Sequence, residues 1–412
     1  MPKQLIYGLK RPYHLIKTGI LKGLVSQVKY GFPAKNIKVI ALTGTDGKTT
    51  SSILTYHLLQ SAGKKAGLIS TVFARIGDRQ IDTGLHVTAP TPDKLLGFVR
   101  QMLDQDAEYL VIELTSHGIY QYRDWGLKPE IAGLTNITHE HLDYHLTYDN
   151  YLEAKALLLK KAKTVVLNQD DQSFYKVKQH LDAKEQKILS YSQEDQLDSQ
   201  IKQAINQRFP ETYNQMNARL AVKIASAVGL DSDQISQGIK SFPGVPGRME
   251  SVANDQELNI FIDFAHTPNG LRQALISLRK KLSEQEKNGR LIAVYGCAGL
   301  RDQAKRPEMG RTGVELADLA VFTAEDPRTE NVWSIIRQMK EQLETGHDKI
   351  VSIADRQRAI EFTLKKLAQP GDIIGIFGKG PEKSMCIGTK EYPWSDKKSA
   401  KKTLDQMQSP AN

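Results

Sequence analysis

The sequence predicts an α/β protein with two mostly parallel sheets, preceded by a short basic helical segment. Short apolar runs alternate with helical patterns along most of the chain, which is typical of parallel sheets covered on both faces. The alternation stops at a Pro- and Gly-rich segment, residues 242–248, and then resumes. Because 412 residues exceed what one compact core usually holds, we expect two domains joined at this segment.

The N-terminal segment, residues 1–36, is predicted to contain an amphipathic helix. Pro12 is placed to begin it, while Gly19 and Gly23 weaken it. Apolar residues recur every four positions along one face: Ile16, Ile20, Leu24 and Val28. Two interpretations stay open, a helix packed on the neighbouring domain and a helix lying on an anionic membrane.

The net charge of +9 comes almost entirely from the start of the chain. Eight basic residues precede the first acidic one, Asp46, and the rest of the chain has 48 basic against 47 acidic residues. A neutral body gives little reason to expect nucleic-acid binding. No run of ~18 apolar residues exists, so we expect no transmembrane helix. Two cysteines cannot form a disulfide framework, which favours a reducing, cytoplasmic location.

The central domain, residues 37–243, is predicted from alternating strands and helices with a phosphate loop near its start. Residues 182–212 show no clear period and are left unassigned. The predicted elements are strands at 37–42, 109–114, 131–135 and 164–167, and helices at 49–62 and 148–162.

The second domain, residues 244–412, repeats the alternation and is predicted to be Rossmann-like. Its expected strands are 258–264, 291–295, 319–323, 350–353 and 373–377, with helices between them.

The segment Thr-Gly-Thr-Asp-Gly-Lys-Thr-Thr, residues 43–50, lies between the first predicted strand and helix. Glycines let backbone N–H groups approach phosphate oxygens, and the helix N-terminus adds positive potential. Lys48 can neutralise phosphate charge and Thr49 can bind Mg²⁺. The common phosphate loop has glycine where Leu42 stands. We interpret the segment as a nucleotide-binding loop, with a plain glycine turn as the alternative.

Acidic and histidine residues follow the next two strands. Glu113 ends one strand, where α/β sheets place their ligands, and Thr-Ser-His follows it at 115–117. Asn-Ile-Thr-His-Glu-His-Leu-Asp-Tyr-His follows the next, at 136–145. His141 and His145 could bind zinc, but an oxygen-seeking Mg²⁺ fits a phosphate loop better.

Lys155 is predicted to share a helix face with apolar residues, namely Tyr151, Leu158, Leu159 and Ala162. Such a lysine commonly extends its amine to solvent. A desolvated lysine instead loses its charge readily, and the neutral amine can act as a nucleophile or be carbamylated.

The ordered set of motifs resembles the Mur ligases, ATP-dependent enzymes that add amino acids to the peptidoglycan stem peptide. It is most similar to the members that add the third residue to UDP-N-acetylmuramoyl-L-alanyl-D-glutamate, and it covers residues 40 to about 395. The matching stretches are residues 43–50, 113–118, 136–145, 153–155, 247–250, 263–268, 296–302, 305–307, 325–328 and 378–382, with Asn214 and Asn217.

The resemblance implies ATP as cofactor with two Mg²⁺ sites, and carbamylation of Lys155. It assigns catalysis to Lys48, Glu113, His141 and Lys155, and metal binding to Thr49, Glu113, His141 and Lys155. The nucleotide-binding set is Gly44, Thr45, Asp46, Gly47, Lys48, Thr49, Thr50, Asn214, Asn217, Arg248, Asp263 and His266. Thr88, Ser116 and Arg123 would hold the acceptor, and Arg301, Asp326, Arg328, Gly378 and Glu382 the incoming amino acid.

The implied reaction joins a free amino acid to a muramoyl-peptide precursor. The acceptor carboxylate attacks the γ-phosphate of ATP, and the amine displaces the resulting acyl phosphate. Charge that gathers in both steps would be stabilised by Mg²⁺, lysine and a helix N-terminus. We expect a cytoplasmic monomer, with peripheral membrane contact through residues 1–36.

The sequence departs from the family pattern at a few positions. The family normally has an N-terminal UDP-binding domain, whereas 36 residues precede the first strand here. Arg328 is associated with meso-diaminopimelate, yet Asp326 replaces an asparagine and Pro381 a histidine. Two alternatives stay open: a ligase of the folylpolyglutamate or cyanophycin type, and a non-catalytic nucleotide-binding scaffold.

Overall fold

The computed structural model describes residues 3–81, 90–138, 140–285 and 288–408. The chain forms two compact units, residues 1–243 and residues 244–412, each an α/β structure with a mostly parallel sheet. The predicted fold class is therefore confirmed. Within the described residues, no helix combines the length and apolar character needed to cross a membrane.

The N-terminal segment is helical from its first described residue. Helix α1 (Lys3–His14) continues through wide π-type turns (Leu15–Leu24) into α2 (Val25–Lys29), and a 3₁₀ turn (Pro33–Lys35) follows. Pro12 lies inside α1, so the prediction that it begins the helix is wrong. A proline lacks the N–H for the helical ladder, and a widened turn is one way to continue past it.

Two of the four glycines of this segment face the rest of the first unit, while large apolar side chains face outward. Gly19 and Gly23 are buried under the indole of Trp125, and a Cβ on Gly23 would lie 2.3 Å from Trp125 Cδ1. Ile16 and Val28 are 56% and 62% exposed. The glycines that weaken the helix are therefore what allows it to pack closely.

The first unit contains an eight-stranded sheet in the order β4-β3-β2-β5-β1-β6-β7-β8. Its pairings are parallel except for β2–β3 and β3–β4, which are antiparallel and lie at one edge. Strand β1 is paired with both β5 and β6, so the loops after these three strands meet at one edge of the sheet. The strands are β1 (Lys38–Thr43), β2 (Ala66–Ile69), β3 (Ala74–Ile76), β4 (Arg79–Ile81), β5 (Tyr109–Glu113), β6 (Pro129–Leu134), β7 (Thr164–Asn168) and β8 (Lys187–Tyr191).

Helices cover both faces of this sheet. They include α9 which, with β8, occupies the region left unassigned from the sequence. The helices are α3 (Lys48–Ser61), α4 (Pro92–Leu103), α5 (Ser116–Tyr120), α6 (Leu142–His145), α7 (Tyr148–Leu159), α8 (Phe174–Gln179), α9 (Ser199–Arg208), α10 (Thr212–Val228) and α11 (Ser232–Lys240).

The second unit contains a six-stranded sheet in the order β13-β12-β11-β14-β10-β9, parallel except for β9, and a separate β15–β16 hairpin. The strands are β9 (Glu250–Ser251), β10 (Asn259–Asp263), β11 (Leu291–Tyr295), β12 (Leu319–Phe322), β13 (Ile350–Ser352), β14 (Ile373–Phe377), β15 (Ser384–Ile387) and β16 (Lys390–Pro393). The helices are α12 (Pro268–Ser283), α13 (Arg306–Leu316), α14 (Val332–Lys340), α15 (Arg356–Phe362) and α16 (Asp396–Gln408), with a 3₁₀ turn at His347–Lys349 and a π-type turn at Thr363–Leu367.

Candidate active site

The loop between β1 and α3 requires glycine at two positions. Gly44 and Gly47 have φ angles of 150° and 80°. A Cβ on Gly44 would lie 1.8 Å from Thr135 Oγ1, and one on Gly47 would lie 2.0 Å from Asn217 Oδ1. The loop therefore packs closely against the end of β6 and against α10.

Asn136, the second residue after β6, fixes the shape of this loop. Its backbone carbonyl accepts a hydrogen bond from Thr45 N at 2.8 Å, and its side-chain oxygen accepts one from Asp46 N at 2.9 Å. Thr135 Oγ1 donates to Asp46 O at 2.6 Å. Sequence reasoning gave Asn136 no role, although its position after a strand beside β1 was a usable signal.

Lys48 and Thr50 start helix α3. The Lys48 ammonium donates to Thr45 O at 2.6 Å, which folds the side chain back over the loop. Thr50 is buried within α3. The positive end of the helix and the Lys48 amine thus lie on the same loop, as anion binding at a helix N-terminus requires.

Thr49 and Glu113 come together at the carboxyl ends of β1 and β5. Thr49 Oγ1 lies 3.1 Å and 3.0 Å from the two Glu113 carboxylate oxygens. Thr71, after β2, donates to Glu113 from its hydroxyl at 2.7 Å and from its backbone N–H at 3.1 Å. Hydroxyl and carboxylate oxygens are the ligands that Mg²⁺ prefers. Thr71 was not identified from the sequence, where its loop carries no distinctive motif.

His141 is less closely tied to this pair. Its Nε2 lies 3.6 Å from Glu140 Oε2, and its φ of 57° places the backbone in the left-handed region. In the part of the chain that the structure describes, no three His, Cys, Asp or Glu side chains converge on a possible metal position. Glu140 is buried beside it and belongs to the 136–145 motif, but no role of its own is predicted for it from the sequence.

Lys155 lies inside the unit, 1% exposed, with its amine donating to Gly44 O at 2.5 Å. The ammonium also lies 4.5 Å from the centre of the Tyr151 ring. Burial lowers the pKa of Lys155 well below its ordinary value, and the positive charge of Lys48 lowers it further. The interpretation that this lysine extends to solvent is wrong, because the helix face it shares is packed against the sheet.

Ser116 begins α5 directly after the loop that follows β5, and its hydroxyl lies 3.0 Å from His145 Nε2. Burial, followed by the charges of His117, Lys155 and His141, lowers the pKa of His145 to about 2. Arg123 donates from Nε to Gln121 Oε1 at 3.0 Å. Thr88 lies outside the residues that the structure describes.

Asn214 and Asn217 lie on α10, one turn apart. Asn217 Nδ2 donates to Asn214 Oδ1 at 3.3 Å, and Asn214 Nδ2 donates to Glu211 Oε2 at 3.1 Å. Ser51 of α3 donates to Asn217 O at 3.2 Å. The pair is thereby held beside the phosphate loop, although it is remote in sequence.

Asp263, Arg248 and His266 cluster at the carboxyl end of β10 in the second unit. The Asp263 carboxylate accepts hydrogen bonds from Met249 N and Ala265 N, at 2.7 Å and 2.8 Å. The Arg248 guanidinium lies 4.7 Å from the centre of the Phe264 ring. His266 Nδ1 lies 3.1 Å from Phe264 O.

Lys379 joins two predicted amino-acid-binding residues. Its buried ammonium lies 2.7 Å from Asp326 Oδ1 and also contacts the Glu382 carboxylate. Burial favours a raised pKa for Asp326, but the Lys379 charge outweighs it and holds the pKa below its ordinary value. Lys379 lies within the matching stretch 378–382, but no role is predicted for it from the sequence. Its place between two glycines after β14 was the available signal.

Arg328 and Gly378 border the same group of residues. Arg328 Nη1 donates to Gly299 O at 2.8 Å, and a Cβ on Gly378 would lie 2.5 Å from Glu325 Oε2. Glu325 is buried, and burial raises the pKa of its carboxyl. Arg301 is exposed, on the loop that carries Gly299.

The residues of the first unit fit a nucleotide with Mg²⁺. Gly44 and Gly47 leave no room for a Cβ, the Lys48 side chain lies over the loop, and paired hydroxyl and carboxylate oxygens stand at the first turn of α3. This is the donor chemistry that a phosphate-bound Mg²⁺ needs.

Comparisons with known proteins agree with this geometry. Family profiles described as "Mur ligase middle domain" and "Mur ligase, glutamate ligase domain" match residues 42–227 and 247–380. A UDP-N-acetylmuramoyl-L-alanyl-D-glutamate–2,6-diaminopimelate ligase of Clostridium botulinum is 33% identical over 402 residues, covering 93% of this chain and 81% of that protein. A ligase of the same name from Gloeobacter violaceus is 34% identical over 403 residues, covering 92% and 80%.

Solved structures give the same result. A ligase of that name has a TM-score of 0.58 at 28% identity, covering 95% of this chain and 84% of that one. The folylpolyglutamate synthase of Mycobacterium tuberculosis shares the fold, with a TM-score of 0.65 at 17% identity, covering 91% and 96%. On these matches the chain belongs to the Mur ligase family of ATP- and Mg²⁺-dependent, amide-forming ligases.

Proposed function

We propose that this ligase adds meso-diaminopimelate, or another diamino acid, to UDP-N-acetylmuramoyl-L-alanyl-D-glutamate or a related muramoyl peptide. The names of its relatives support this acceptor and this amino acid. The observation that carries the proposal is the buried Lys155 amine held against Gly44 of the phosphate loop. A scaffold that had lost catalysis would have no reason to keep a lysine desolvated at that position.

In this proposal the first unit binds ATP, and the residues of its loop orient the phosphates. Bound Mg²⁺ supplies positive charge that stabilises the phosphoryl oxygens. Thr49 and Glu113 would hold one ion, and Lys48 and the first turn of α3 would hold the phosphates. Asn214 and Asn217 keep the loop closed on its other side.

We infer that Lys155 becomes carbamylated. Its lowered pKa leaves a larger share of neutral amine, and this is the form that adds CO₂. The carbamate would give the long side chain a carboxylate beside Glu140 and His141, which then provide the second Mg²⁺ site. Addition of CO₂ to the neutral amine, with loss of one amine proton, thus replaces the buried amine by a carboxylate, a ligand of the hard-oxygen type that Mg²⁺ selects.

The second unit would receive the amino acid. Arg328 would pair with a carboxylate of the diamino acid, in the planar geometry that guanidinium favours. Asp326 and Glu382 would meet its ammonium groups, and Lys379 holds both acids in place before the ligand arrives. The second carboxylate and second amine of diaminopimelate match this mixture of charges.

ADP release tests the function. The full chain is mixed with ATP, Mg²⁺ and UDP-N-acetylmuramoyl-L-alanyl-D-glutamate, and with diaminopimelate or lysine in separate assays. We expect ADP release that depends on both the acceptor and the amino acid, and that is faster with diaminopimelate. Absence of amino-acid-dependent turnover with every muramoyl-peptide acceptor would refute the proposal.

A lysine pair tests the carbamate. Lys155→Ala should abolish turnover and be partly rescued by short carboxylates such as acetate, whereas Lys160→Ala, at an exposed position five residues further on, should behave as the unmodified chain. Undiminished turnover of Lys155→Ala would contradict the carbamate role.

We also infer that the protein is a monomer and that its N-terminal segment contacts an anionic membrane surface. Nine of the sixteen large apolar side chains that are exposed in the described part of the chain lie between Leu9 and Phe32. Lys10, Lys17 and Lys22 are exposed among them, and no acidic residue precedes Asp46. Apolar side chains flanked by cations are the chemistry of an interfacial helix, each cation near the surface contributing about 1 kcal/mol.

Vesicle sedimentation tests the membrane contact. We expect binding to vesicles rich in phosphatidylserine and little binding to phosphatidylcholine alone. Ile20→Glu should reduce binding, while Ile276→Glu, at an apolar residue of α12 with similar exposure, should not. Equal binding by both variants would exclude the segment as the contact, and a dimer in light scattering would exclude the monomer.

A further inference from the structure

Helix α1 extends a side chain into the group of residues around Ser116. The Tyr7 hydroxyl lies 2.9 Å from His145 Nδ1, and the other ring nitrogen of His145 lies 3.0 Å from Ser116 Oγ. Tyr7 and Ser116 are 109 positions apart in sequence, and this imidazole joins them. Both ring nitrogens of His145 are therefore occupied, one by the N-terminal segment and one by a predicted acceptor-binding residue.

Aromatic packing holds this chain of hydrogen bonds in place. The rings of Tyr7 and Tyr120 are stacked, with centres 4.7 Å apart, and the Tyr120 hydroxyl donates to the backbone oxygen of Tyr7. His145 is fully buried, and its ring also contacts those of His117, Tyr144 and Tyr151. The imidazole consequently has little freedom to rotate.

The direction of the hydrogen bonds follows from the chemistry of the three groups. A neutral imidazole has one N–H donor and one bare nitrogen acceptor. A phenol is a stronger donor than a neutral imidazole N–H, and an imidazole nitrogen is a stronger acceptor than a phenol oxygen. Tyr7 therefore donates to Nδ1, and the imidazole proton resides on Nε2. Nε2–H then donates to Ser116 Oγ, which leaves the Ser116 proton available for another acceptor.

We propose that Tyr7 is a positioning residue which, through the His145 tautomer, directs the Ser116 hydroxyl proton toward a carboxylate of the acceptor peptide. This rests on the proposed function for the identity of the acceptor, and goes beyond it in giving the N-terminal segment a role in substrate binding. With the opposite tautomer, Ser116 would donate to His145 and could offer an anionic carboxylate no proton.

Tyr7→Phe tests the proposal, because it removes the hydroxyl and keeps the ring stacked on Tyr120. We expect the KM for UDP-N-acetylmuramoyl-L-alanyl-D-glutamate to rise about fivefold to tenfold, as for loss of one buried hydrogen bond. The KM for ATP and the Tm should stay close to those of the unmodified chain. Tyr13→Phe is the matched control, since the Tyr13 hydroxyl is exposed and receives only a hydrogen bond from Lys17 among its described contacts.

A double-mutant cycle separates positioning from simple packing. In a Ser116→Ala background, Tyr7→Phe should cause no further rise in the acceptor KM, because its effect passes through the serine hydroxyl. An equal rise in both backgrounds, or no rise in either, would overturn the proposal.

A spectroscopic measurement tests the positioning role of Tyr7 even if UDP-N-acetylmuramoyl-L-alanyl-D-glutamate is not the acceptor. The ¹⁵N chemical shifts of the His145 ring should show protonated Nε2 and bare Nδ1 in the full chain, and a mixture of tautomers in Tyr7→Phe. Unchanged His145 shifts in Tyr7→Phe would overturn the positioning role. No turnover of this acceptor by the unmodified chain, with altered shifts in the variant, would refute the proposed function alone.

Discussion

Alanine at Gly23 is expected to loosen the N-terminal segment from the first unit. The added Cβ would lie 2.3 Å, 2.6 Å and 2.8 Å from the Cδ1, Cγ and Cβ atoms of Trp125. Carbon atoms pack at about 3.5–4.0 Å, so the closest contact is short by about 1 Å or more. Rotation of the indole cannot relieve the contact with the Trp125 Cβ, because the backbone fixes that atom. The helix or the loop must therefore move.

The magnitude follows from two opposing effects. Overpacking of a close contact costs about 1–3 kcal/mol. Replacing glycine by alanine in a helix contributes about 0.5–1 kcal/mol of stability when space is available. Gly8→Ala should show only the helix stabilisation, because a Cβ at Gly8 meets nothing within 4 Å. Both variants gain the helix contribution, so Gly23→Ala should be less stable than Gly8→Ala by the overpacking cost alone, about 1–3 kcal/mol.

Urea unfolding followed by tryptophan fluorescence measures the difference, and limited trypsin digestion locates it. Lys17 and Lys22 are exposed, so a loosened segment should be cleaved there first in Gly23→Ala. Equal unfolding midpoints and equal cleavage rates for the two variants would refute the idea that the segment is held by close packing on Trp125.

Three further predictions concern the second unit. Asp396→Asn should destabilise it by about 3–5 kcal/mol in urea unfolding, because it leaves Arg356 buried without its ion-pair partner; a loss below 1 kcal/mol would contradict this. Burial raises the pKa of Cys297 to about 12, so a thiol reagent at pH 8 should modify Cys297 only after unfolding and the half-buried Cys386 before it. The pKa of Glu325 is raised in the folded state, so its contribution to stability falls as pH rises through the unfolded and then the folded pKa. Glu325→Gln should reduce this loss of stability with rising pH. A pH profile of the Tm that is the same in the variant and the unmodified chain would contradict the prediction.

The sequence predicts those features that local pattern determines. The phosphate loop was placed correctly between a strand and a helix, because glycine spacing and apolar runs are local signals. Lys155 was placed on an inward helix face by its spacing, but the competing expectation of an exposed amine could be rejected only with the sheet in place. Burial of a long polar side chain depends on what covers it, and the covering residues are distant in sequence.

Contacts between segments that are remote in sequence could not be predicted from the sequence. Nothing in the pattern around Tyr7 indicates that its hydroxyl meets His145. The apolar stripe of the N-terminal segment left open whether the helix packs on the neighbouring domain or lies on a membrane. In the structure the glycines make the close contact and the large side chains face outward. Short elements were also missed: the strands β3 and β4 have three residues each, too few for an alternating pattern to emerge.

The bonds from Asn136 to the phosphate loop have a consequence for how affinity arises. The Thr45 and Asp46 amides already donate within the protein, so they cannot serve a phosphate unless those bonds break. The chain loses the conformational entropy of this loop when it folds, and not again when nucleotide binds. These two amides should exchange with deuterium equally slowly with and without nucleotide. The loop is therefore already rigid before nucleotide binds, because its hydrogen bonds to Asn136, just after β6, fix its shape.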